Sequence, residues 1–95
     1  MFRSHARVAA PKPAQAMTQL AKHFAHKIPV ELAETQARAD FPGGTCRMLA
    51  SGEALDLAVE AADETELHRI EGIVGGHLER FLWRTPVAVV WEAAR

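Results

Sequence analysis

Residues 36–61 read QARADFPGGTCRMLASGEALDLAVEA, and this stretch decides the fold. Ala37, Ala39 and Phe41 alternate with Arg38 and Asp40. After Pro42-Gly43-Gly44, Cys46, Met48 and Ala50 share one face and Arg47 takes the other. After Ser51-Gly52-Glu53, Leu55, Leu57, Val59 and Ala61 alternate with Asp56 and Glu60. A period of two marks a strand with one face on a core and one in water. Both breaks are short and rich in turn residues, so the stretch reads as three antiparallel strands joined by hairpins.

Working outward, Val30 to Glu34 is a further short strand with Val30 and Leu32 on one face. Before it, Met17, Leu20, Ala21 and Phe24 recur at helical spacing. Pro13 suits a first helical turn and Pro29 pushes Ile28 out of the helical region, which predicts a helix over Pro13 to Lys27. Ser4 to Ala10 alternates until Pro11-Lys12-Pro13 and reads as a short edge strand. Downstream, Asp63-Glu64-Thr65-Glu66 has the form of an N-cap with an acid three residues on. Leu67, Ile70, Val74, Leu78 and Phe81 then form one stripe, predicting a helix to about Trp83 before Thr85-Pro86 stops it. Val87, Val89 and Trp91 alternate with Ala88, Val90 and Glu92 in a last strand. The order is β-α-β-β-β-β-α-β, a single α+β domain over residues 1–95. It is a two-layer sandwich in which two helices cover one face of a mainly antiparallel sheet. Parallel neighbours, where they occur, should be joined by right-handed crossovers.

Composition narrows the function classes. The chain has 95 residues, of which 48% are hydrophobic and 24% charged; much of the apolar share is alanine, which implies a thin core. A net charge of −1 provides no general positive field for nucleic acid or an anionic membrane. One cysteine, Cys46, excludes an internal disulfide framework and suits a reducing compartment, which makes the cytoplasm the expected location. The first residues carry charge without an apolar h-region, and no stretch approaches the ~20 apolar residues that span a bilayer.

Four side chains could hold a metal: His23, His26, Cys46 and His77. The two histidines of the first helix are three apart, Cys46 faces the helix side of its strand, and His77 flanks the apolar stripe. One thiolate with imidazoles suits zinc, copper or ferrous iron. The ordinary reading of each stands beside this. With Met17, Leu20 and Phe24 buried, His23 falls at the flank of the helix and His26 points away, where cations gain from the dipole's negative end. Cys46 is a small buried hydrophobe in that reading, and His77 a half-buried ring satisfied by a backbone carbonyl. Nucleophilic catalysis by Cys46 would need an activating histidine, and no cysteine-enzyme signature surrounds it.

Arg80 and Arg84, one turn apart, could clamp a carboxylate or phosphate, or else pair with Glu66, Glu79 or Glu92. Gly72, Gly75 and Gly76 fall off the apolar stripe, leaving a smooth surface for a second copy, a ligand or close packing of the first helix. Trp91 reads as core and Trp83 as an exposed partner contact. His5 and His68 read as solvated.

Leu20-Ala21-Lys22-His23-Phe24-Ala25-His26-Lys27-Ile28-Pro29-Val30, Phe41-Pro42-Gly43-Gly44-Thr45-Cys46, His77-Leu78-Glu79-Arg80-Phe81 and Val89-Val90-Trp91 together resemble the bacterial family called domain of unknown function 2218. The resemblance covers nearly the whole chain. It implies an accessory role in siderophore or iron uptake, with a flavin-dependent siderophore reductase as partner, and it implies no catalytic residue. The resulting expectation is a small non-enzymatic domain that binds a metal, iron or zinc, or an iron-bearing ligand. The alternatives are a homodimeric or partner-docking module without metal and, behind it, a Cys/His enzyme.

Overall fold

The computed structural model describes residues 1–94. Its elements are β1 (Phe2–Ala9), α1 (Pro13–Phe24), β2 (Val30–Leu32), β3 (Gln36–Phe41), β4 (Gly44–Ser51), β5 (Ala54–Ala61), α2 (Glu64–Phe81) and β6 (Glu92–Ala94). The strands form one six-stranded sheet in the order β2-β3-β4-β5-β1-β6, with every neighbouring pair antiparallel. This is the α+β architecture and element order that the alternation predicted. No two neighbours run parallel, so the crossover rule has nothing to act on.

The β3-β4-β5 meander is set by its turns. Pro42 and Gly43 link Phe41 to its partner Gly44, with Gly43 at φ +90°, a conformation that side chains other than glycine rarely adopt. Register then places Ala37 beside Met48 and Leu57, and Ala39 beside Cys46 and Val59, all on the inward face. Both helices cover that face, α1 over β3 and β4, and α2 over β5, β1 and β4. The resulting core joins Met17, Leu20 and Phe24 of α1 and Leu67, Ile70, Val74 and Leu78 of α2 to Met48, Leu55, Leu57 and Val59. Alanines 37, 39 and 50 are among the buried sheet residues, so the core is as alanine-rich as composition implied. Asp63 caps α2, its side chain accepting from the Glu66 N–H at 2.8 Å.

Three expectations need correction. β1 is not an edge strand. It starts at Phe2, pairs with β5 along all eight residues, and is bordered on its other side by β6. The short β6 beside Arg3 to His5 makes it internal, and Pro11 and Pro13 only end it. The first helix ends at Phe24 rather than Lys27, because the next N–H groups close a tighter turn, His26 onto His23 O and Lys27 onto Phe24 O. The last strand is displaced. Val87, Val89 and Trp91 keep their alternation as half-buried residues against the core, but the ladder to β1 involves only Glu92–Ala94. The segment lies over α2 at Gly75, where a Cβ would sit 3.4 Å from both Val89 and Trp91, and the Val89 N–H is satisfied by Glu79 at 3.0 Å. The glycine-lined surface is thus met at Gly75 by the chain's own C-terminal segment rather than by α1.

No helix among the described residues is long and apolar enough to cross a membrane.

Glycine substitutions test this packing. At Gly44 a Cβ would strike the Glu60 carbonyl and come within 2.7 Å of Ile70, so Gly44→Ala should lose about 1–3 kcal/mol of stability in urea unfolding. Gly72 and Gly76 face open space within α2, so alanine at either should add about 0.8–1 kcal/mol.

Candidate functional site

The last turn of α1 and the C-terminal half of α2 bring two of the sequence candidates together. His23 is exposed at the end of α1 and His77 is half-buried on α2. Their rings lie 4.8 Å apart between centroids, inclined at 42°. Around them stand Phe24, 5.5 Å from His77 and edge-on to it, and Phe81, 5.7 Å from His23 and edge-on to it. Phe41, at the end of β3, packs edge-on against Phe24 at 5.1 Å. The placement follows from local sequence. Met17, Leu20 and Phe24 pin α1 by its buried stripe, which puts His23 on the flank facing α2. Leu78 is fully buried, so its neighbour His77 sits at the border of the stripe.

The two rings differ in how they are held. His77 Nδ1 lies 2.7 Å from the Ile73 carbonyl oxygen. A carbonyl only accepts, so Nδ1 carries the hydrogen and the neutral ring keeps its lone pair on Nε2. His23 has no such anchor. Its pKa is lowered below the ordinary histidine value, first by loss of hydration and then by the neighbouring basic side chains of His77, His26, Lys27 and Arg80. At neutral pH it is an uncharged imidazole within a cationic surround.

The other candidates go elsewhere. Cys46 is fully buried on β4 between Ala39 and Val59, and burial pushes its thiol up to about 12. A buried thiol of that kind supplies neither a thiolate ligand nor a nucleophile in the folded protein. Among the described residues, no group of three or more His, Cys, Asp or Glu side chains is placed to hold a metal ion. The four-ligand centre drawn from spacing is therefore not assembled, because its sulfur lies within the hydrophobic core. His26 is exposed beyond the end of α1 and contributes only its charge to the His23 surround.

Arg80 and Arg84 are both exposed. The Arg80 Nε donates to the Gly76 carbonyl at 3.4 Å, and Arg84 lies over the Trp83 ring at 5.0 Å. Their expected acidic partners are engaged otherwise: Glu66 with Arg69, Glu79 with the Val89 N–H, and Glu92 near His5 at 3.9 Å. Trp83 is exposed and Trp91 half-buried against the core, as their positions on the pattern implied. His68 is not simply solvated; its Nδ1 bonds the nearly buried Glu71 at 2.9 Å, which raises its pKa. Sequence reasoning missed the aromatic setting. Phe24 beside His23, and Phe81 four residues after His77, were its local signals; Phe41 had none, since it arrives from the sheet.

The family model described as uncharacterized protein conserved in bacteria, domain of unknown function 2218, matches residues 5–92. The chain belongs to this family. Its fold is shared by the NMR structure of PA4090 from Pseudomonas aeruginosa, which is 29% identical, with a TM-score of 0.83 over 97% of this chain and 96% of that one. No curated protein matches the chain. In this member of the family, the His-x-x-His-Lys and His-Leu-x-Arg-Phe segments that carry the resemblance meet at the His23–His77 pair, while the Gly-x-Cys segment supplies turn and core.

The state of Cys46 has a measurable consequence. Its thiol titrates near 9 when unfolded and at about 12 when folded, so between those values the unfolded chain has lost a proton that the folded chain keeps. Stability contributed by this group is complete below pH 9 and should fall with rising pH above it, by about 1.4 kcal/mol per pH unit. Urea midpoints of the protein and of Cys46→Ala compared across pH 8 to 10.5 should show the slope in the first only. A thiol reagent at pH 8 should label Cys46 no faster than the protein opens.

Proposed function

We propose that this domain is a non-enzymatic binder of an anionic metal chelate, taken up at the His23–His77 pair. The observation that carries the reading is one of charge. The paired rings offer imidazole nitrogen, and His23 is held uncharged at neutral pH, yet the charged side chains that act on it, Lys27 and Arg80, are positive. A bare divalent ion is repelled by such a surround. A metal already wrapped in carboxylate or catecholate oxygens arrives with negative charge, and Lys27 and Arg80 favour it. Open positions on that metal suit imidazole nitrogen, and His77 is already oriented by its bond to Ile73, as ligating histidines commonly are. The phenylalanines supply a dry, apolar border. Iron is the cargo that the family resemblance points to, carried as a siderophore-type complex, and in this role it is the substrate of the domain rather than its resident cofactor. The burial of Cys46 removes the one nucleophile that an enzymatic reading used.

Gallium citrate, a diamagnetic stand-in for ferric citrate, tests the proposal through the imidazole resonances of His23 and His77. The expected result is a saturable shift of both rings, weakened about tenfold or more by His23→Ala or His77→Ala, with Co²⁺ alone giving a weaker response. Binding should persist down through pH 6.5, because His23 stays uncharged below the ordinary histidine value, and fail at lower pH as the ring protonates. Citrate alone binding as well as its gallium complex, and more tightly as pH falls, would replace the metal by the anion. No saturable shift with any of the three would remove the site.

A further inference from the structure

The face of the sheet turned away from both helices holds a groove of about 650 Å³, within the range of ~300–1,000 Å³ usual for small-molecule sites. Register sets out its floor as one cross-strand row: Arg38 on β3, Arg47 on β4, Ala58 on β5 and His5 on β1. Four arginines point to this side. Arg3 is paired with Glu60 at 2.6 Å, Arg7 with Asp56 at 2.9 Å, and Arg38 with Asp40 at 3.1 Å and Glu31 at 3.5 Å. Arg47, on an inner strand of the sheet, has no carboxylate partner among the described residues, and its direct cross-strand neighbour is another arginine. Like charges set opposite one another destabilise a sheet, so a carboxylate between them would relieve the arrangement. The acids lining the groove, Glu31 and Asp56, are already engaged by Arg38 and Arg7. Beside Arg47, the small Ala58 leaves room, and Leu49, two residues along on the same face, is 47% exposed.

We propose that this groove binds a small amphipathic monocarboxylate, its carboxylate on Arg47 and its apolar chain along Ala58 and Leu49. The site lies on the opposite face of the sheet from His23 and His77 and does not depend on what binds there. The carboxylate supplies the partner that the other three arginines already have. The hydrocarbon covers apolar surface that the alternation of the strands leaves in water.

Octanoate is the probe, followed by backbone amide shifts, with octan-1-ol and butyrate as controls that keep only the chain or only the charge. Arg47 and Ala58 are both exposed, so Arg47→Gln and Ala58→Leu should fold, which the dispersion of the same spectra verifies. The expected result is saturable binding of octanoate centred on residues 45–49 and 56–58. Binding should be about tenfold or more weaker for either control and for Arg47→Gln, and lost in Ala58→Leu, with the His23 and His77 rings undisturbed. Octanoate shifts that Arg47→Gln leaves unchanged would overturn the proposal, as would the absence of saturation. An Asp/Glu-rich peptide that binds this row where octanoate does not would overturn it in favour of protein docking.

Discussion

The burial of Met17, Leu20, Ile70, Val74 and Leu78 against Met48, Leu55, Leu57 and Val59 holds both helices on one face of the sheet, and the rest of the molecule depends on it. Each strand has one apolar face, and one pair of helices is enough to cover it. The other face is left to solvent and must be stabilised by cross-strand ion pairs instead, as Arg3–Glu60 and Arg7–Asp56 do. Two distinct surfaces follow from one packing event. One is the junction of the helix ends, where aromatic and imidazole rings meet. The other is the ribbed outer sheet, where charge is matched strand by strand except at Arg47.

The helix junction separates two properties that usually travel together. Histidines near positive groups are held uncharged, and are therefore good nitrogen donors, while the same positive groups repel free cations. His23 acquires this combination because α1 ends where its dipole favours cations, at Lys22, His23 and the residues just beyond. That tendency, ordinary in itself, becomes a chemical environment once Arg80 and His77 of α2 are brought beside it. Cys46 shows the opposite course. Its strand alternation sends it inward with Met48, and the interior that accepts it as a hydrophobe removes it from any chemistry that needs a thiolate.

Much of the fold was legible because period and punctuation agree locally. Gln36–Phe41 alternates and ends at Pro42-Gly43, and the strand occupies those residues. The Asp63 cap and the Leu67 to Leu78 stripe placed α2 within a residue or two at each end. Errors arose where an element's fate depended on a distant partner. Nothing in Ser4 to Ala10 tells whether one or two strands will border it. Val87 to Trp91 alternates as a strand does, yet its inward residues rest on a helix at Gly75, and alternation alone cannot distinguish the two supports. In the site, the flank position of His23 followed from the helical wheel, whereas His26 is exposed because it lies beyond the end of α1. The contact of His23 with His77 did not, since the residues are 54 positions apart and a wheel carries no information about the neighbouring helix.

By itself the sequence determined most of the helices and strands, which face of each is buried, where the turns fall and how charge is divided, because these are set by steric preference and solvent transfer within a few residues. The tertiary structure alone decided which chemical groups share a space. It set Cys46 apart from the histidines, joined His23 to His77 within a ring of phenylalanines, and lined up Arg38, Arg47, Ala58 and His5 across four strands. Helix docking and strand register are long-range choices, made by the best burial of the whole inward face, and the functional groups are carried to wherever that burial places them.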